Sequence, residues 1–519
     1  MKALHIDGNS LSLTDVREVV YENRPVLLAP EARQAVLRAR EIVEDLLAHD
    51  QVAYAVNTGV GKLSDVRISP NDIRQLQLNL LRSHAVGVGE SLGEGVVRAM
   101  VLLRANSLAK GFSGVRDVVI DTLCAMLSRG VHPVIPSQGS VGASGDLAPL
   151  AHLALVIVGE GHAVYQGKPM SGAEAMKHAD IKPLVLEAKE AISLINGTQA
   201  MLAVGLLAVL QAETLADSAD VIGALSVDAL RGTDVAFDER IQAARPHAGQ
   251  FVSAHNLRLM MQGSEIRESH RQCGKVQDAY SLRCIPQVHG AVRDSIMHCR
   301  SVFEVEMNSA VDNPLVFPAP KKIGAPRPQL GDPVAGEILS GGNFHGEPVA
   351  FALDFLAIAL SALAGISERR LERLVNPLLN EDLPPFLASG AGLNSGLMMA
   401  QVTAAALVNE NKVLAHPASV DSITTSGNKE DFVSMGMTSA NKLQRVVANT
   451  RNVLAIEAMA VAQAIDFLAP LKPSKREQAA HAAIRKVSPA IGDDRILSPD
   501  FARLSELIGS GTLARILQP

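Results

Sequence analysis

Residues 199–230 read QAMLAVGLLAVLQAETLADSADVIGALSVDAL, and this stretch decides the fold. Alanine and leucine dominate it, proline is absent, and charged residues are few. A helix that is so long and so apolar must be buried on most of its sides. Similar patterns recur at residues 287–307, 345–375, 395–414, 437–468 and 475–487. Together they predict a mainly α protein with a long central helix bundle.

The composition of the 519-residue chain agrees with stacked helices. Hydrophobic residues make up 47% of the chain, but aromatic residues only 3%, and tryptophan is absent. Strand-rich sandwiches usually contain more aromatic and β-branched residues, so this composition favours helices. The net charge of −6 is modest and the basic residues are scattered. We therefore expect no nucleic-acid partner.

We expect two parts along the chain. Residues 1–200 are predicted to form a smaller N-terminal lobe, and residues 201–519 the long-helix bundle with the C-terminal helices. Within the first part, Pro30 suits the first position of a helix over residues 30–47. Residues 317–342 contain five prolines before the final glycines and cannot form a regular helix.

The sequence also predicts the compartment. The four cysteines form no CxxC pair, which is typical of free thiols in a reducing cytoplasm. The first residues, MKALHID, lack the apolar core of a signal peptide. The apolar stretch 348–366 contains Asp354 and ends in a charged run, which indicates a buried helix and not a membrane span. We expect a cytoplasmic protein with no membrane partner.

The segment SVGASGDLAPL, residues 140–150, leads from a glycine-rich loop into an apolar helical run. Gly145 has no Cβ, so its amide nitrogen can approach the carbonyl carbon of Ala143 closely. Ring closure between these atoms, with loss of water from Ser144, would create an electrophile that no ordinary side chain supplies. Asp146 is predicted as the helix N-cap and Pro149 falls in the first turn, which places the triad at a positive helix end. A simple glycine–serine turn explains the same residues.

Common cofactor and metal motifs are missing from the sequence. No GxGxxG follows a strand, no GxSxG elbow occurs, and the 15 histidines include no HExxH or paired ligand spacing. We therefore expect neither a metal nor an external cofactor.

A series of polar motifs lies outside the helical patterns. Each one alone is explained by a turn asparagine, a half-buried tyrosine or an exposed glutamate. The motifs are Tyr54 with NTG at 57–59, SHA at 83–85, ASGDL at 143–147, LINGTQ at 194–199, QDAYSLRC at 277–284, DNP at 312–314, GGNFH at 341–345, SVDS at 419–422 and NKED at 428–431. Taken in order, they resemble the methylideneimidazolone-dependent ammonia-lyases along nearly the whole chain.

The resemblance implies a fumarase/aspartase-like architecture and a homotetramer whose central bundle is built from all four subunits. It also implies active sites assembled from several chains. The electrophile would be 4-methylideneimidazol-5-one, formed autocatalytically from Ala143, Ser144 and Gly145. A catalytically dead helical scaffold with an uncyclised loop is the competing interpretation.

Within the family, the chain is most similar to the branch that acts on histidine. Phenylalanine and tyrosine lyases carry Phe-Leu or His-Leu where this chain has Ser83-His84, and usually Gln in place of Glu430. An imidazole both donates and accepts hydrogen bonds, which suits His84 and Glu430. The implied reaction is the elimination of ammonia from L-histidine to give trans-urocanate, the first step of histidine degradation. Lys429, Ala279 and Val60 depart from the usual pattern, so a tyrosine or phenylalanine ammonia-lyase, or a 2,3-aminomutase, stays as the alternative.

The resemblance also implies catalytic roles. Tyr54 is expected to remove the β-proton of the substrate. Glu430 is the rival base, although holding the imidazole is its expected duty. Tyr280 is expected beside the carbonyl of the electrophile's ring.

The remaining matching residues are expected to bind the substrate. Arg283 suits the substrate carboxylate because its planar fork offers two parallel donors. Asn196 is expected near the ring carbonyl and the substrate amine, and His84 beside the imidazole or a water that it orders. Gln277 and Phe344 would complete the pocket.

Overall fold

The computed structural model describes residues 1–49, 51–319 and 336–518, and 59% of these residues are helical. The prediction of a mainly α fold is confirmed. Nineteen α-helices occur in these ranges: α1 (Leu13–Tyr21), α2 (Pro30–Ala48), α3 (Ile73–His84), α4 (Glu94–Ala109), α5 (Asp117–Arg129), α6 (Leu147–Ile157), α7 (Gly172–His178), α8 (Glu190–Ile195), α9 (Gln199–Ala229), α10 (Glu239–Ala243), α11 (Ala248–Met261), α12 (Glu265–Ser269), α13 (Tyr280–Arg283), α14 (Ile285–Glu306), α15 (Glu347–Val375), α16 (Met398–Leu414), α17 (Gly436–Phe467), α18 (Lys475–Val487) and α19 (Ser498–Gly509).

The described strands are short and form four small sheets. The first sheet is a parallel pair of β1 and β2. The other three sheets are antiparallel: β3 pairs with β5, β6 lies between β4 and β7, and β8 pairs with β9. The strands are β1 (Leu4–Ile6), β2 (Val26–Leu28), β3 (Val88–Ser91), β4 (Val131–Pro133), β5 (Pro136–Gln138), β6 (His162–Tyr165), β7 (Lys168–Ser171), β8 (Leu315–Pro318) and β9 (Gly336–Leu339).

The long apolar patterns form the helices that they predict. α9, α15 and α17 contain 31, 29 and 32 residues, and each lies within a few residues of its predicted bounds. Pro30 occupies the first turn of α2, as expected. Helix α1 was not predicted, although Ser12 and Asp15 form a capping box at its start that signals it.

By its internal contacts, the chain divides into two compact units. The first consists of residues 1–207, 301–353 and 418–441, and the second of residues 208–300, 354–417 and 442–519. Each unit is made of three segments of the chain. The division at residue 200 into two continuous parts stays a prediction.

The core of the first unit surrounds α4. This helix is buried from Val96 to its end, including two arginines and an asparagine. It packs against α1 and α5, while α6 packs against α3 and α8. The second unit contains a buried ionic cluster, in which Asp220 contacts His289 and Arg293, and Arg370 contacts Glu457.

Two of the long helices are apolar enough to cross a membrane by length and composition, α9 and α15. In their most apolar windows, 78% and 61% of the residues are buried within the protein, as in core helices of soluble proteins. In the proline-rich segment, Leu315–Pro318 and Gly336–Leu339 pair as strands, so neither end is helical. The central residues of that segment, 320–335, lie outside the described ranges.

Candidate active site

The loop before α6 carries Ala143, Ser144 and Gly145 and is closed by backbone contacts. Gly145 has a φ of +70°, and a Cβ placed on it would lie 2.2 Å from the carbonyl oxygen of Gly197. The amide of Asp146 donates to that same oxygen at 2.7 Å. Only glycine fits at residue 145, because the left-handed backbone conformation disfavours other residues and the backbone of Gly197 occupies the space that a side chain would need. The triad is therefore held directly against the turn between α8 and α9.

Asp146 stands at the N-cap position of α6, but its carboxylate does not cap that helix. Instead, Oδ2 accepts from the amides of Ala200 and Met201 at 3.0 and 2.9 Å, in the first turn of α9. Oδ1 accepts from the Ser140 hydroxyl at 2.9 Å. The predicted helix start is right and the predicted capping bond is wrong, because the N-terminus of α9 offers the buried carboxylate two amides. Burial raises the pKa of Asp146 to about 6, although the hydrogen bonds that its carboxylate accepts act to lower that pKa.

Asn196 reaches the triad from the α8–α9 turn. Its Nδ2 donates to the carbonyl oxygen of Ser144 at 2.8 Å. Its Oδ1 is buried and has no hydrogen-bond partner among the described residues. A free acceptor beside the triad suits an ammonium or amine donor.

Glu430 lies at the side chain of Ser144. The Ser144 hydroxyl donates to Oε1 of Glu430 at 2.7 Å. The hydroxyls of Thr425 and Ser426 donate to Oε2 at 2.7 and 2.8 Å. Burial by itself raises the pKa of Glu430, but these three hydrogen bonds outweigh it and lower the pKa below its ordinary value. The carboxylate is therefore ionised at neutral pH.

His84 ends α3 and lies close enough to Glu430 for that carboxylate to favour protonation of its ring. Its Nδ1 lies 2.8 Å from the carbonyl oxygen of Leu80, which can only accept, so Nδ1 carries the proton. Burial lowers the pKa of His84, although the Leu80 carbonyl and Glu430 oppose this. A neutral imidazole with Nε2 free to accept lies near an ionised carboxylate.

Two further loops close around the triad loop. The amide of Gly346 and the hydroxyl of Ser434 both donate to the carbonyl oxygen of Gly142, at 3.0 and 3.1 Å. The ring of His345 stacks on Phe432 with 6.1 Å between centroids. These contacts join the segment that contains half-buried Phe344 to the segment that contains Glu430.

Tyr54 lies in the loop that follows α2. Its phenol oxygen accepts from the amide of Gly61 at 3.3 Å. It also lines a cavity of about 360 Å³ together with Leu46, Pro314 and Ile338. Its role as the base stays a prediction.

Gln277, Tyr280 and Arg283 belong to the second compact unit. Gln277 is exposed, Tyr280 is 71% exposed, and Arg283 is half-buried at the end of the one-turn helix α13. Their predicted roles stay predictions.

Three residues that support the site were not predicted from the sequence. Thr425 and Ser426 hold Glu430, and Arg104 holds the turn that carries Asn196. A polar run before Asn428 and an arginine inside the apolar pattern of α4 were the available signals. Within residues 1–49, 51–319 and 336–518, no group of three or more His, Cys, Asp or Glu side chains is arranged to hold a metal.

Comparison with known proteins identifies the class. The model of the aromatic amino acid lyase family matches residues 11–486. A histidine ammonia-lyase of Koribacter versatilis is 73% identical, over 99% of this chain and 99% of its own. The crystal structure of histidine ammonia-lyase from Trypanosoma cruzi is 40% identical with a TM-score of 0.89, over 100% of this chain and 95% of that one. The structure of tyrosine aminomutase from Streptomyces globisporus is 37% identical with a TM-score of 0.91, over 99% and 98%.

The chain belongs to the aromatic amino acid lyase family. The resemblance drawn from the ordered motifs is thereby confirmed, and so is the fold that it implies.

Proposed function

We propose that this protein is a carbon–nitrogen lyase that eliminates ammonia from L-histidine and releases trans-urocanate. The observation that carries the proposal is the 2.7 Å contact between the Ser144 hydroxyl and the Glu430 carboxylate, with His84 close by. This contact brings Ser144, which would become part of the electrophile, next to Glu430 and His84, which suit an imidazole. The histidine ammonia-lyases among the relatives support the same substrate.

We infer that Ala143, Ser144 and Gly145 cyclise to 4-methylideneimidazol-5-one. Three features of the loop fit this group: Gly145 leaves no room for a side chain, Asn196 donates to the carbonyl oxygen of Ser144, and Glu430 contacts the hydroxyl that must leave as water. When present, the group supplies an electrophilic carbon that makes the substrate amine a better leaving group.

The histidine imidazole would be held by Glu430 and His84. The ionised carboxylate would accept a hydrogen bond from the N–H of the substrate imidazole, and a water would donate both to the other ring nitrogen and to Nε2 of His84. Oε1 of Glu430 becomes available once Ser144 has lost its hydroxyl. The side chain of phenylalanine offers these acceptors no hydrogen-bond donor, which supports histidine over phenylalanine as the substrate.

The β-proton would be taken by Tyr54, whose phenolate is basic enough for a weakly acidic carbon once formed. Asn196 would accept from the substrate amine with its free Oδ1. Phe344 would cover the site from the loop that packs beside Glu430. Gln277, Tyr280 and Arg283 would be supplied by another copy of the chain, with Arg283 on the substrate carboxylate.

We further propose a homotetramer. Phe351, Phe355 and Ile358 lie on one face of α15 and are 55%, 41% and 43% exposed. Large apolar side chains at this helical spacing mark a face that needs a partner, and a second copy of the same long helix fits it. Light scattering after size exclusion should give about four times the 54.9 kDa chain mass. Replacing Phe355 by Glu should produce smaller species, and a monomeric parent would contradict the proposal.

We place the enzyme in the cytoplasm, because Cys124, Cys273, Cys284 and Cys299 form no disulfide bond within the described residues, as is typical of a reducing compartment.

The deciding experiment is an ultraviolet assay with L-histidine, L-tyrosine and L-phenylalanine in parallel. Urocanate from histidine alone supports the proposal. Coumarate or cinnamate would overturn the substrate assignment and support the alternative lyases, and a β-amino acid would support an aminomutase, as the similarity to the tyrosine aminomutase allows. No product from any substrate, with an unmodified intact mass, would support the inactive scaffold.

A further inference from the structure

Arg104 lies in the middle of α4 with an exposed fraction of 0%, so its guanidinium is fully buried. Nη1 donates to the carbonyl oxygen of Ser193 at 2.7 Å, and Nη2 donates to that of Asn196 at 2.9 Å. Nη2 also contacts Oε1 of Gln199. These acceptors come from the end of α8, from the turn, and from the first residue of α9. One guanidinium therefore holds the whole turn between the two helices.

A buried cation is costly unless its neighbours compensate it. Burial lowers the pKa of Arg104 to about 10, while the carboxylates of Asp312 and Asp146 act in the opposite direction. The side chain remains charged at neutral pH. The terminal carbonyls of α8 carry partial negative charge, so the guanidinium faces the end of the helix that attracts it.

The turn that Arg104 holds is the one that contacts the triad. Asn196 donates to the carbonyl oxygen of Ser144, and Gly197 accepts from the amide of Asp146. A Cβ on Gly197 would lie 2.3 Å from Nη2 of Arg104, and a Cβ on Gly145 would lie 2.2 Å from the Gly197 oxygen. The guanidinium of Arg104 therefore packs directly against Gly197, and Gly197 packs directly against Gly145.

We propose that Arg104 is a positioning residue for the electrophile: it presses the Asn196–Gly197 turn against the triad and so brings Gly145 N toward the carbonyl carbon of Ala143. The inference rests on the proposed function, because it concerns the formation of the same group. Arg104 does not touch the substrate and acts through Asn196 and Gly197. A lysine offers one compact ammonium in place of a planar fork and cannot hold acceptors on both helices in the same geometry.

Arg98 provides a matched control on the same helix. It is 2% exposed, and its guanidinium donates to the carbonyl oxygens of Val19 and Leu127 at 2.6 and 3.4 Å. Arg98→Lys therefore makes the same chemical change in a buried arginine that holds carbonyls elsewhere in the unit. Both variants are expected to lose thermal stability.

The experiment measures intact mass and turnover of L-histidine in the folded fraction of the parent, Arg104→Lys and Arg98→Lys. Cyclisation and dehydration remove two waters, about 36 Da. In Arg104→Lys we expect a fraction of molecules without this mass deficit and a kcat about 100-fold lower, because a small displacement of the reacting groups has a large effect on rate. In Arg98→Lys we expect the full deficit and a kcat near that of the parent.

Equal cyclisation and equal kcat in the two variants would overturn the inference and leave Arg104 a structural residue only. If Arg104→Lys does not fold, Gln199→Met replaces it: removing one acceptor of Nη2 should lower cyclisation or kcat in the same direction, and no change in either would overturn the inference. A parent protein without the mass deficit would instead refute the proposed function itself.

Discussion

The hydroxyl oxygen of Ser144 lies 2.7 Å from Oε1 of Glu430, although 286 positions separate the two residues. The contact places a carboxylate at the oxygen that must leave when the triad becomes an electrophile. The same carboxylate is held from its other side by Thr425 and Ser426, which fix its orientation and keep it ionised. Under the proposed function, formation of the electrophile and recognition of the substrate would both depend on this one side chain.

Replacing Ser144 by Ala removes the hydroxyl whose loss forms the methylidene group. We expect turnover of L-histidine to fall by about 1000-fold or more, since the reaction then lacks its electrophile. The protein should fold normally, because alanine fits the same half-buried loop. Ultraviolet detection of urocanate and circular dichroism check both statements. Ser137→Ala, on neighbouring β5, is the control and should keep its activity; substantial turnover by the Ser144 variant would refute the mechanism.

Replacing Glu430 by Gln keeps the shape of the side chain and removes its charge. We expect kcat/KM for L-histidine to fall about 100-fold, the order of a charge-assisted hydrogen bond to the substrate. Because the pKa of Glu430 is lowered, the loss should be the same from about pH 6 to about pH 9, where the parent side chain stays ionised. Steady-state kinetics across this range provide the measurement.

Asp431→Asn is the matched control for Glu430. Asp431 is the next residue, it is exposed, and its substitution removes the same charge. Its kinetics should resemble those of the parent. A similar loss in both variants would attribute the effect to the local potential and not to a contact made by Glu430.

Alanine substitutions at Gly145 and Gly130 distinguish the cost of a left-handed backbone from the cost of a steric clash. Their φ angles are +70° and +71°, but a Cβ on Gly130 meets nothing within 4 Å, whereas one on Gly145 meets Gly197. Gly130→Ala should cost about 1–2 kcal/mol of unfolding free energy, the cost of a left-handed backbone alone. Gly145→Ala should cost clearly more and should abolish the mass deficit. Denaturant unfolding and intact mass test this, and equal effects of the two substitutions would contradict it.

A pair of buried carboxyls in the second unit predicts a pH-dependent stability. Ser264 donates to Oδ2 of Asp228 at 2.5 Å, and the amide of Ser474 donates to Oε2 of Glu477 at 2.9 Å. The remaining oxygens, Oδ1 of Asp228 and Oε1 of Glu477, are buried without another donor among the described residues. Asp228 and Glu477 interact with each other, and two carboxyls can hydrogen-bond each other only through a shared proton, so we expect one of them to hold it.

Burial, together with the Asp228 charge, raises the pKa of Glu477 well above its ordinary value. The folded protein therefore binds a proton that the unfolded chain releases, and stability falls as pH rises from the unfolded pKa through the folded one. Burial also raises the pKa of Asp228, and the charges of His270 and Arg267 partly offset that rise. Thermal melting from about pH 5 to about pH 8 should show the decline.

In Glu477→Gln, the amide donates permanently to Asp228, so the decline in stability with pH should be smaller than in the parent. Glu506→Gln, at an exposed position of α19, should keep the parent slope. Parallel slopes for the parent and the Glu477 variant would show that no proton is shared.

Local patterns in the sequence determined the helices and suggested the proposed reacting groups. The alanine- and leucine-rich pattern of residues 199–230 can be satisfied only by a long buried helix, and α9 begins and ends almost where the pattern does. The order of Ala143, Ser144 and Gly145 is a covalent property, because the reacting nitrogen and carbonyl carbon are neighbours along the chain. These features depend on residues close together in sequence.

The tertiary structure alone decided which distant groups meet the triad. Asp146 has the ordinary preference of an aspartate for the start of its own helix, yet its carboxylate binds the amides of α9, because that N-terminus lies beside it. Glu430 reaches Ser144, and Arg104 reaches the Asn196 turn, through loops brought together by packing. Buried donors and acceptors must find partners wherever the fold places them, and that requirement has no local pattern in the sequence.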